Sequence, residues 1–151
     1  MTMHFRYHLT RAKQAVATLG GRWVHPQPLL HVSVVGPSDT YVVHGLLDTG
    51  SDEVVFPADL AAWIGVDLTN APSGVSSGAT MAPVPLRYAE VEMRIAGNGE
   101  RRAWRALVGF TAGPLRRPLL GFAGFMQFFT ASFRGDREEF ELTVNGLYPG
   151  T

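Results

Sequence analysis

Cysteine is absent from the 151 residues of this chain, which excludes disulfide bonds, thiolate metal sites and a cysteine nucleophile. Long apolar runs are absent too, since none approaches the roughly 18 residues that a membrane-spanning helix needs. The first residues interleave polar and apolar side chains and lack the apolar core of a signal peptide. These absences predict a soluble, cytoplasmic protein that does not have a membrane as its partner.

An excess of charge of either sign is also lacking, because 13 lysines and arginines balance 13 aspartates and glutamates. Proteins that bind nucleic acids or anionic membranes usually carry a basic excess, so neither is expected as the main partner. The small net repulsion permits self-association. Hydrophobic residues make up 46% of the chain and charged residues 17%, which predicts a folded core in a single domain.

Much of the chain is predicted to form short strands separated by turns. Alternating apolar residues on both sides of a Gly-Pro-Ser-Asp turn predict a hairpin over residues 29–47, and residues 53–56 predict a short third strand. Residues 84–95 alternate again and lead to Asn98-Gly99, a pair that suits a type I′ turn. Residues 104–108 are then expected to form the returning strand.

Helices are expected at two places. Residues 57–65 begin with a proline, contain alanines and leucine, and end at a glycine that suits the left-handed C′ position. Leu60, Trp63 and Ile64 share one face of that helix, which predicts that all three pack inward. The apolar residues 122–129 are interpreted as a second short helix. A last hairpin is expected around a Gly-Asp turn, ending near Val144.

The segment with the clearest chemistry is Leu46-Leu47-Asp48-Thr49-Gly50-Ser51. Two apolar residues end a strand, and an acid follows on a turn that Gly50 allows to be tight. The hydroxyls of Thr49 and Ser51 can hydrogen-bond a carboxylate or the backbone, and a carboxylate held in this way is oriented for general acid–base chemistry. The alternative is a surface turn in which Asp48 caps its own backbone.

This segment resembles the active-site loop of aspartic peptidases. Pro118-Leu119-Leu120-Gly121 looks like the second family element, and the Gly- and Ser-rich residues 73–81 lie where the family carries its flap hairpin. The motif occurs once, which is similar to the retropepsins, whose site lies on a dimer axis with one Asp from each subunit. The resemblance covers roughly residues 29–145.

The resemblance implies a mainly β fold: a small closed or partly open retropepsin-like barrel with one or two short helices. That domain would span residues 29–147, and residues 1–28 would be an N-terminal extension or an extra edge strand. It further implies an aspartic endopeptidase that hydrolyses peptide bonds with water activated between the two Asp48 carboxylates of a homodimer. No metal or other cofactor is expected.

Supporting roles follow from the resemblance alone. Asp48 would be catalytic, and Thr49, Gly50 and Ser51 would support it: Thr49 by cross-linking the two loops of the dimer, Ser51 by hydrogen-bonding the acid. The implied substrate-binding residues are Asp52, Ser76, Ser77, Gly78, Leu119, Leu120 and Gly121. The chain departs from the retroviral pattern after Gly121, where Phe122-Ala123 replaces the usual Arg and Asp or Asn, so the cellular or bacterial group is the better likeness.

Two other functions stay open at this point. The chain could be a dimeric interaction module that keeps the retropepsin fold with little or no activity, or a monomeric all-β ligand-binding domain in which Asp-Thr-Gly is a coincidence. His4 and His8 lack an evident third ligand for a metal. The basic pairs Arg101-Arg102 and Arg116-Arg117 are interpreted as solvated loop residues, and Asp52-Glu53 has the same alternative.

Overall fold

A computed structural model describes residues 1–76 and 83–151, and these are mainly β. The strands are Thr2–Arg6 (β1), His8–Val16 (β2), Arg22–Gln27 (β3), Leu29–Val35 (β4), Thr40–Leu47 (β5), Val55–Pro57 (β6), Ser73–Ser76 (β7), Val84–Gly97 (β8), Glu100–Thr111 (β9), Leu119–Leu120 (β10), Phe129–Arg134 (β11) and Glu139–Val144 (β12). One α-helix, Ala58–Ile64 (α1), and two 3₁₀ turns, Ala17–Leu19 and Met126–Phe128, complete the described elements.

Six of these strands close into a barrel, as the sequence predicts. The order around it is β4-β5-β10-β6-β9-β8, and β8 pairs back onto β4 with Ser33 opposite Arg94. Most neighbours are antiparallel, but β10 runs parallel to β5 and β6 runs parallel to β9. β7 extends the sheet beyond the barrel by pairing with β8. Closure pairs the barrel strands with one another, so β7 is the end strand of this sheet.

The two predicted barrel hairpins are confirmed. β4 and β5 pair from Leu29 opposite Leu46 to Val35 opposite Thr40. β8 and β9 meet at Asn98 and Gly99, whose φ angles of 53° and 77° are both positive, as a type I′ turn requires. β9 is longer than the predicted strand, because its ladder with β8 continues through the charged residues that precede Trp104.

Helix α1 also forms where the sequence places it. Pro57 precedes it in extended conformation, and Gly65 ends it with a φ of 83°. Leu60 and Ile64 are fully buried, but the prediction that Trp63 packs inward is wrong, because this side chain is 51% exposed. A helix of two turns presents only a narrow face to the barrel, so Trp63 lies at its flank and stacks on Tyr41 at a ring-centroid distance of 4.9 Å.

The second predicted helix, over residues 122–129, is wrong. Only the 3₁₀ turn at Met126–Phe128 forms, and Phe129 already begins β11. Gly124 has a φ of 93°, which breaks a helical path at that point. The aromatic spacing reflects packing instead, since Phe125 and Phe129 both contact Trp104 edge-on, with ring centroids 5.5 and 5.4 Å away.

The predicted C-terminal hairpin is present as β11 and β12, and β1 adds to it in the order β1-β12-β11. β1 pairs along its whole length, from Thr2 opposite Thr143 to Arg6 opposite Glu139. Met3 is buried and Phe5 stacks on Phe140 at 5.1 Å, so this edge strand is fixed by the core. The remainder of the N-terminal segment forms a separate hairpin of β2 and β3.

The barrel interior is filled by apolar side chains that point inward from alternate strand positions. Phe56 and Phe110 are fully buried, with ring centroids 5.9 Å apart, and each such side chain stabilises the fold by about 1.5–3 kcal/mol. In the described ranges, no helix combines the length and the apolar character needed to cross a membrane.

Candidate active site

Asp48 lies directly after β5, where the chain leaves the barrel wall. The last two residues of β5, Leu46 and Leu47, pair in parallel with Leu119 and Leu120 of β10. The Asp48 backbone N–H donates to the Leu120 carbonyl oxygen at 3.2 Å. Leu47 and Leu120 are buried, so the base of the Asp48 loop is attached to the hydrophobic core. The leucine pair of the Asp48 motif therefore lies beside the leucine pair of the Gly121 motif in the sheet.

The carboxylate of Asp48 is held within its own loop. The Gly50 N–H donates to Asp48 Oδ1 at 2.9 Å, and the Ser51 N–H donates to the Asp48 carbonyl oxygen at 3.2 Å. The Asp48 side chain is half-buried, while Thr49 and Gly50 are exposed. One carboxylate oxygen is thus fixed by the backbone, and the group stays within reach of water, as acid–base work on a water molecule requires.

A second segment, residues 121–123, crosses this loop and holds it by hydrogen bonds. The Phe122 N–H donates to the Ser51 carbonyl oxygen and the Ala123 N–H to that of Asp52, both at 2.9 Å. In return, the Val54 N–H donates to the Ala123 carbonyl oxygen at 3.0 Å. Each backbone hydrogen bond contributes roughly 0.5–1.5 kcal/mol. Two segments far apart in sequence are therefore joined immediately beyond the predicted catalytic residue.

Gly121 makes this crossing possible. A Cβ at that position would lie 2.5 Å from the Ser51 carbonyl oxygen and still closer to the carbonyl oxygen of Glu53. Real side chains do not approach backbone oxygens so closely, so only glycine allows the two segments to meet. Leu120 is fully buried and Leu119 half-buried, so these residues support the loop from the interior.

Ser51 has a different hydrogen bond from the one that the resemblance implies. Its Oγ donates to the carbonyl oxygen of Glu53 at 2.8 Å, and the residue is 8% exposed. The Oγ therefore closes the turn on the chain rather than reaching the carboxylate of Asp48. Because the crossing already occupies the Ser51 carbonyl oxygen, the whole residue acts as a fixed link between the loop and β6.

Tyr88 of β8 is a site residue that lies outside the two sequence motifs. Its hydroxyl donates to Glu53 Oε1 at 3.2 Å. Burial, followed by the negative charge of Glu53, raises the pKa of the Tyr88 hydroxyl. A Cβ at Gly74 would lie 2.6 Å from the Tyr88 ring, so Tyr88 also contacts β7. Alternation along β8 signals that this side chain turns inward, but nothing local signals its partner. Asp52 itself is exposed.

The predicted flap is described only at its base. β7 pairs antiparallel with β8, from Ser73 opposite Arg87 to Ser76 opposite Val84. Ser76 is half-buried at the end of β7. Ser77 and Gly78, which the resemblance places at the flap tip, lie outside the described residues. The base of the β7–β8 hairpin lies next to the Asp48 loop, because Tyr88 on β8 contacts Glu53 just after that loop.

A scan of the chain against protein-family models finds no match, and a search among curated protein sequences finds no significant match. The likeness to retropepsins therefore stays a prediction. It is carried by the Asp48 loop, by the crossing over Gly121 and by the closed barrel that holds them. Among residues 1–76 and 83–151, no three His, Asp or Glu side chains converge as a metal site.

Proposed function

We propose that this chain is one half of an aspartic endopeptidase, in which the Asp48 loops of two identical subunits meet and form one active site. The observation that supports this most is the crossing at Gly121, in which the chain that follows the neighbouring strand β10 fixes the end of the Asp48 loop. A surface turn does not need a buried strand and a closely packed glycine to hold it.

The chemistry requires two carboxylates. Two such groups in close contact do not both ionise readily, so they share one proton. The ionised member accepts a proton from water as the water oxygen attacks the scissile carbonyl carbon, and the protonated member donates to the carbonyl oxygen. As the tetrahedral diol collapses, one hydroxyl returns its proton to the ionised carboxylate, the C–N bond breaks, and the leaving nitrogen takes the proton of the other carboxyl, so the dyad again holds one proton. A single Asp48 cannot hold both states at once.

The surface around Asp48 suits a second copy of the chain. Thr49 and Gly50 are exposed at the loop, and Phe122, next to the crossing glycine, is 60% exposed. Aromatic side chains of this size are typical anchors of protein interfaces. A two-fold axis close to Asp48 would place this loop against the same loop of the second subunit, as in isologous dimers. The zero net charge leaves little repulsion between subunits.

An extended peptide is the substrate that this arrangement favours. β7 ends the sheet beyond the barrel, and Val75 on it is 64% exposed. A peptide lying between the two Asp48 loops and the two β7–β8 hairpins could bond to strand edges through its main chain. Apolar side chains such as Val75 favour hydrophobic residues on either side of the scissile bond.

The test is cleavage of a diverse peptide mixture from acid to neutral pH, with the wild type, Asp48→Asn and Asp67→Asn compared under identical conditions. Asp67 is a matched control, because its Oδ1 accepts the Thr69 N–H at 2.9 Å, the same geometry that Asp48 makes with Gly50. The expected result is a bell-shaped pH profile that Asp67→Asn keeps and Asp48→Asn loses.

The other outcomes are equally informative. Cleavage that survives Asp48→Asn would contradict the proposed role of Asp48. No cleavage by a wild type shown to be dimeric at the assay concentration would contradict the peptidase and leave a dimeric interaction module. A protein that is monomeric at every concentration tested would contradict both and leave the all-β ligand-binding domain.

A further inference from the structure

Positive charge is concentrated in one part of this neutral chain. Residues 1–38 contain no aspartate or glutamate, although they contain four arginines and lysines and four histidines. The loop of residues 112–118 is also free of acids and carries Arg116 and Arg117. The fold brings these two segments together, so the zero net charge hides a local excess.

Two adjoining clefts lie between the β2–β3 hairpin and this loop. The smaller, about 270 Å³, is lined by Thr10, His25, Gln27, Arg116 and Arg117. The larger, about 630 Å³, shares Thr10, His25 and Arg116 and continues along β2 to Val16. Thr10 and His25 are directly opposite each other in the hairpin ladder, so the wall of the shared region is set by strand register.

The two arginines face these clefts without a counter-ion. Five other arginines, at positions 22, 94, 102, 105 and 134, each pair with a glutamate. Over residues 1–76 and 83–151, neither Arg116 nor Arg117 has a carboxylate within ion-pair distance. Arg117 makes one long contact, from Nη2 to Thr10 Oγ1 at 3.4 Å, and that oxygen is neutral. A half-buried guanidinium is poorly compensated by such a partner.

Two histidines lie on the barrel wall close to Arg117. His44 and His31 stack on neighbouring strands with ring centroids 4.1 Å apart. Burial, followed by the charges of His31, His8 and Arg117, lowers the pKa of the His44 imidazole. Arg117 is therefore close enough to His44 for its charge to act on the imidazole, so His44 can report an anion that neutralises Arg117.

We propose that the cleft formed by Thr10, His25, Arg116 and Arg117 binds a phosphate group. Guanidinium groups bind phosphate oxygens through paired N–H donors. The Thr10 hydroxyl donates to Gln27 Oε1 at 3.1 Å and accepts from Arg117, so it orients that guanidinium in the cleft. Several cations with no acid among them attract a phosphate dianion more strongly than they attract a carboxylate, which carries a single negative charge. This site is independent of Asp48, and it gives a role to a basic pair of which Arg116 is exposed and Arg117 half-buried.

The experiment is a titration of the full chain with inorganic phosphate at constant ionic strength, with chloride as the reference anion. Binding is followed by calorimetry and by backbone amide shifts. The expected result is saturable binding, with shifts centred on Thr10, His25 and the 112–118 loop. Arg116→Gln combined with Arg117→Gln should weaken binding about tenfold or more, because two charge-assisted contacts are lost.

Two control variants separate the site from general attraction. Arg137→Gln removes one charge from an exposed arginine in the β11–β12 turn and should leave phosphate affinity unchanged. Arg116→Lys with Arg117→Lys keeps the charge but loses the paired donors, and should weaken binding several-fold without affecting folding. A second readout is the His44 imidazole, whose pKa should rise when phosphate binds.

The proposal is overturned if phosphate binds no better than chloride, or if Arg137→Gln weakens binding as much as the paired variants do. Phosphoserine and adenosine monophosphate are then tested as competitors of inorganic phosphate. Displacement of inorganic phosphate by either compound with the same amide shifts would show that the site accepts the terminal phosphate of a larger molecule. Binding of inorganic phosphate alone would show that the free ion is the ligand.

Discussion

Two aspartates in this chain make the same local hydrogen bond and have very different surroundings. Asp48 accepts the N–H of Gly50 and Asp67 accepts the N–H of Thr69, each across two residues at 2.9 Å. The Asp67 loop is a surface turn after helix α1, in which Asp67 and Thr69 are both exposed. The Asp48 loop instead follows the buried Leu47 at the end of β5 and is crossed by residues 121–123.

The comparison shows what separates a candidate site from an ordinary turn. An aspartate that caps its own backbone is a common local structure and needs no function. What is particular to Asp48 is the set of contacts from distant residues, because Leu120, Phe122 and Ala123 all hydrogen-bond to its loop or to the chain just after it. The following predictions perturb the surroundings of the two loops, beginning with the largest expected effect.

Gly121→Ala should remove the crossing that the Asp67 loop lacks. The added methyl would overlap the carbonyl oxygens of Ser51 and Glu53, and the resulting strain should lower the free energy of unfolding by about 3 kcal/mol or more. Chemical denaturation measures the change. Gly146→Ala is the control, because a Cβ there has nothing within 4 Å. Equal stability of the two variants would show that the crossing does not hold the loop.

Phe122→Ser tests whether the surface beside the Asp48 loop contacts a second subunit. The loss of a 60% exposed aromatic anchor should weaken self-association about tenfold or more and leave the stability of the subunit nearly unchanged. Sedimentation over a range of concentrations gives the dissociation constant. Leu147→Ser, at a residue 67% exposed on the C-terminal turn, serves as the control. If both variants associate like the wild type, the interface lies elsewhere.

Ser51→Ala should have a smaller effect on the same loop. It removes the hydrogen bond from Oγ to the Glu53 carbonyl oxygen in a buried position, at a cost of about 1–2 kcal/mol in unfolding free energy. Thermal and chemical unfolding would report it. Ser132→Ala, on an exposed position of β11, should change stability by less than about 0.5 kcal/mol. A stability loss at Ser132 as large as that at Ser51 would argue against a special role for the loop.

Thr69→Ala is the matching change in the Asp67 loop and should be the mildest. Hydrogen bonds from Thr69, its hydroxyl first, lower the pKa of the Asp67 carboxyl. Its contribution to stability is therefore present above the pKa of the unfolded chain and is lost as pH falls through the folded value. The variant should raise the pKa of Asp67 toward its ordinary range, measured by carboxyl NMR, without altering peptide cleavage. Altered cleavage would mean that the two loops are not independent.

Local patterns predicted the framework because each depends on residues close in sequence. The period of two along β4, β5 and β8, the Asn98-Gly99 pair and the Pro and Gly around α1 all specify their own backbone. The barrel was expected from the likeness to retropepsins and not from these local patterns, and it is present in closed form. The β1 edge strand follows the same alternation, although the sequence left it open as an arm or a strand.

What the sequence did not reveal depends on contacts between distant segments. The hydrogen bond from Tyr88 to Glu53 and the Ser51 bond to the Glu53 carbonyl oxygen need the folded sheet to be known first. Trp63 turned outward because the barrel leaves room for only a narrow helix face, and Gly124 interrupts the second predicted helix. That Arg116 and Arg117 have no counter-ion among residues 1–76 and 83–151 is equally invisible without the hairpin that lies against them.

Mixed dimers test the central claim, that two Asp48 carboxylates form one site, most directly. Wild-type and Asp48→Asn subunits would be refolded together in varied proportions, and peptide cleavage measured at fixed total protein. A shared dyad predicts that mixed dimers are inactive, so activity falls as the square of the wild-type fraction, to about a quarter at equal amounts. Activity that falls in direct proportion, to about half, would mean that each subunit works alone and would contradict the account.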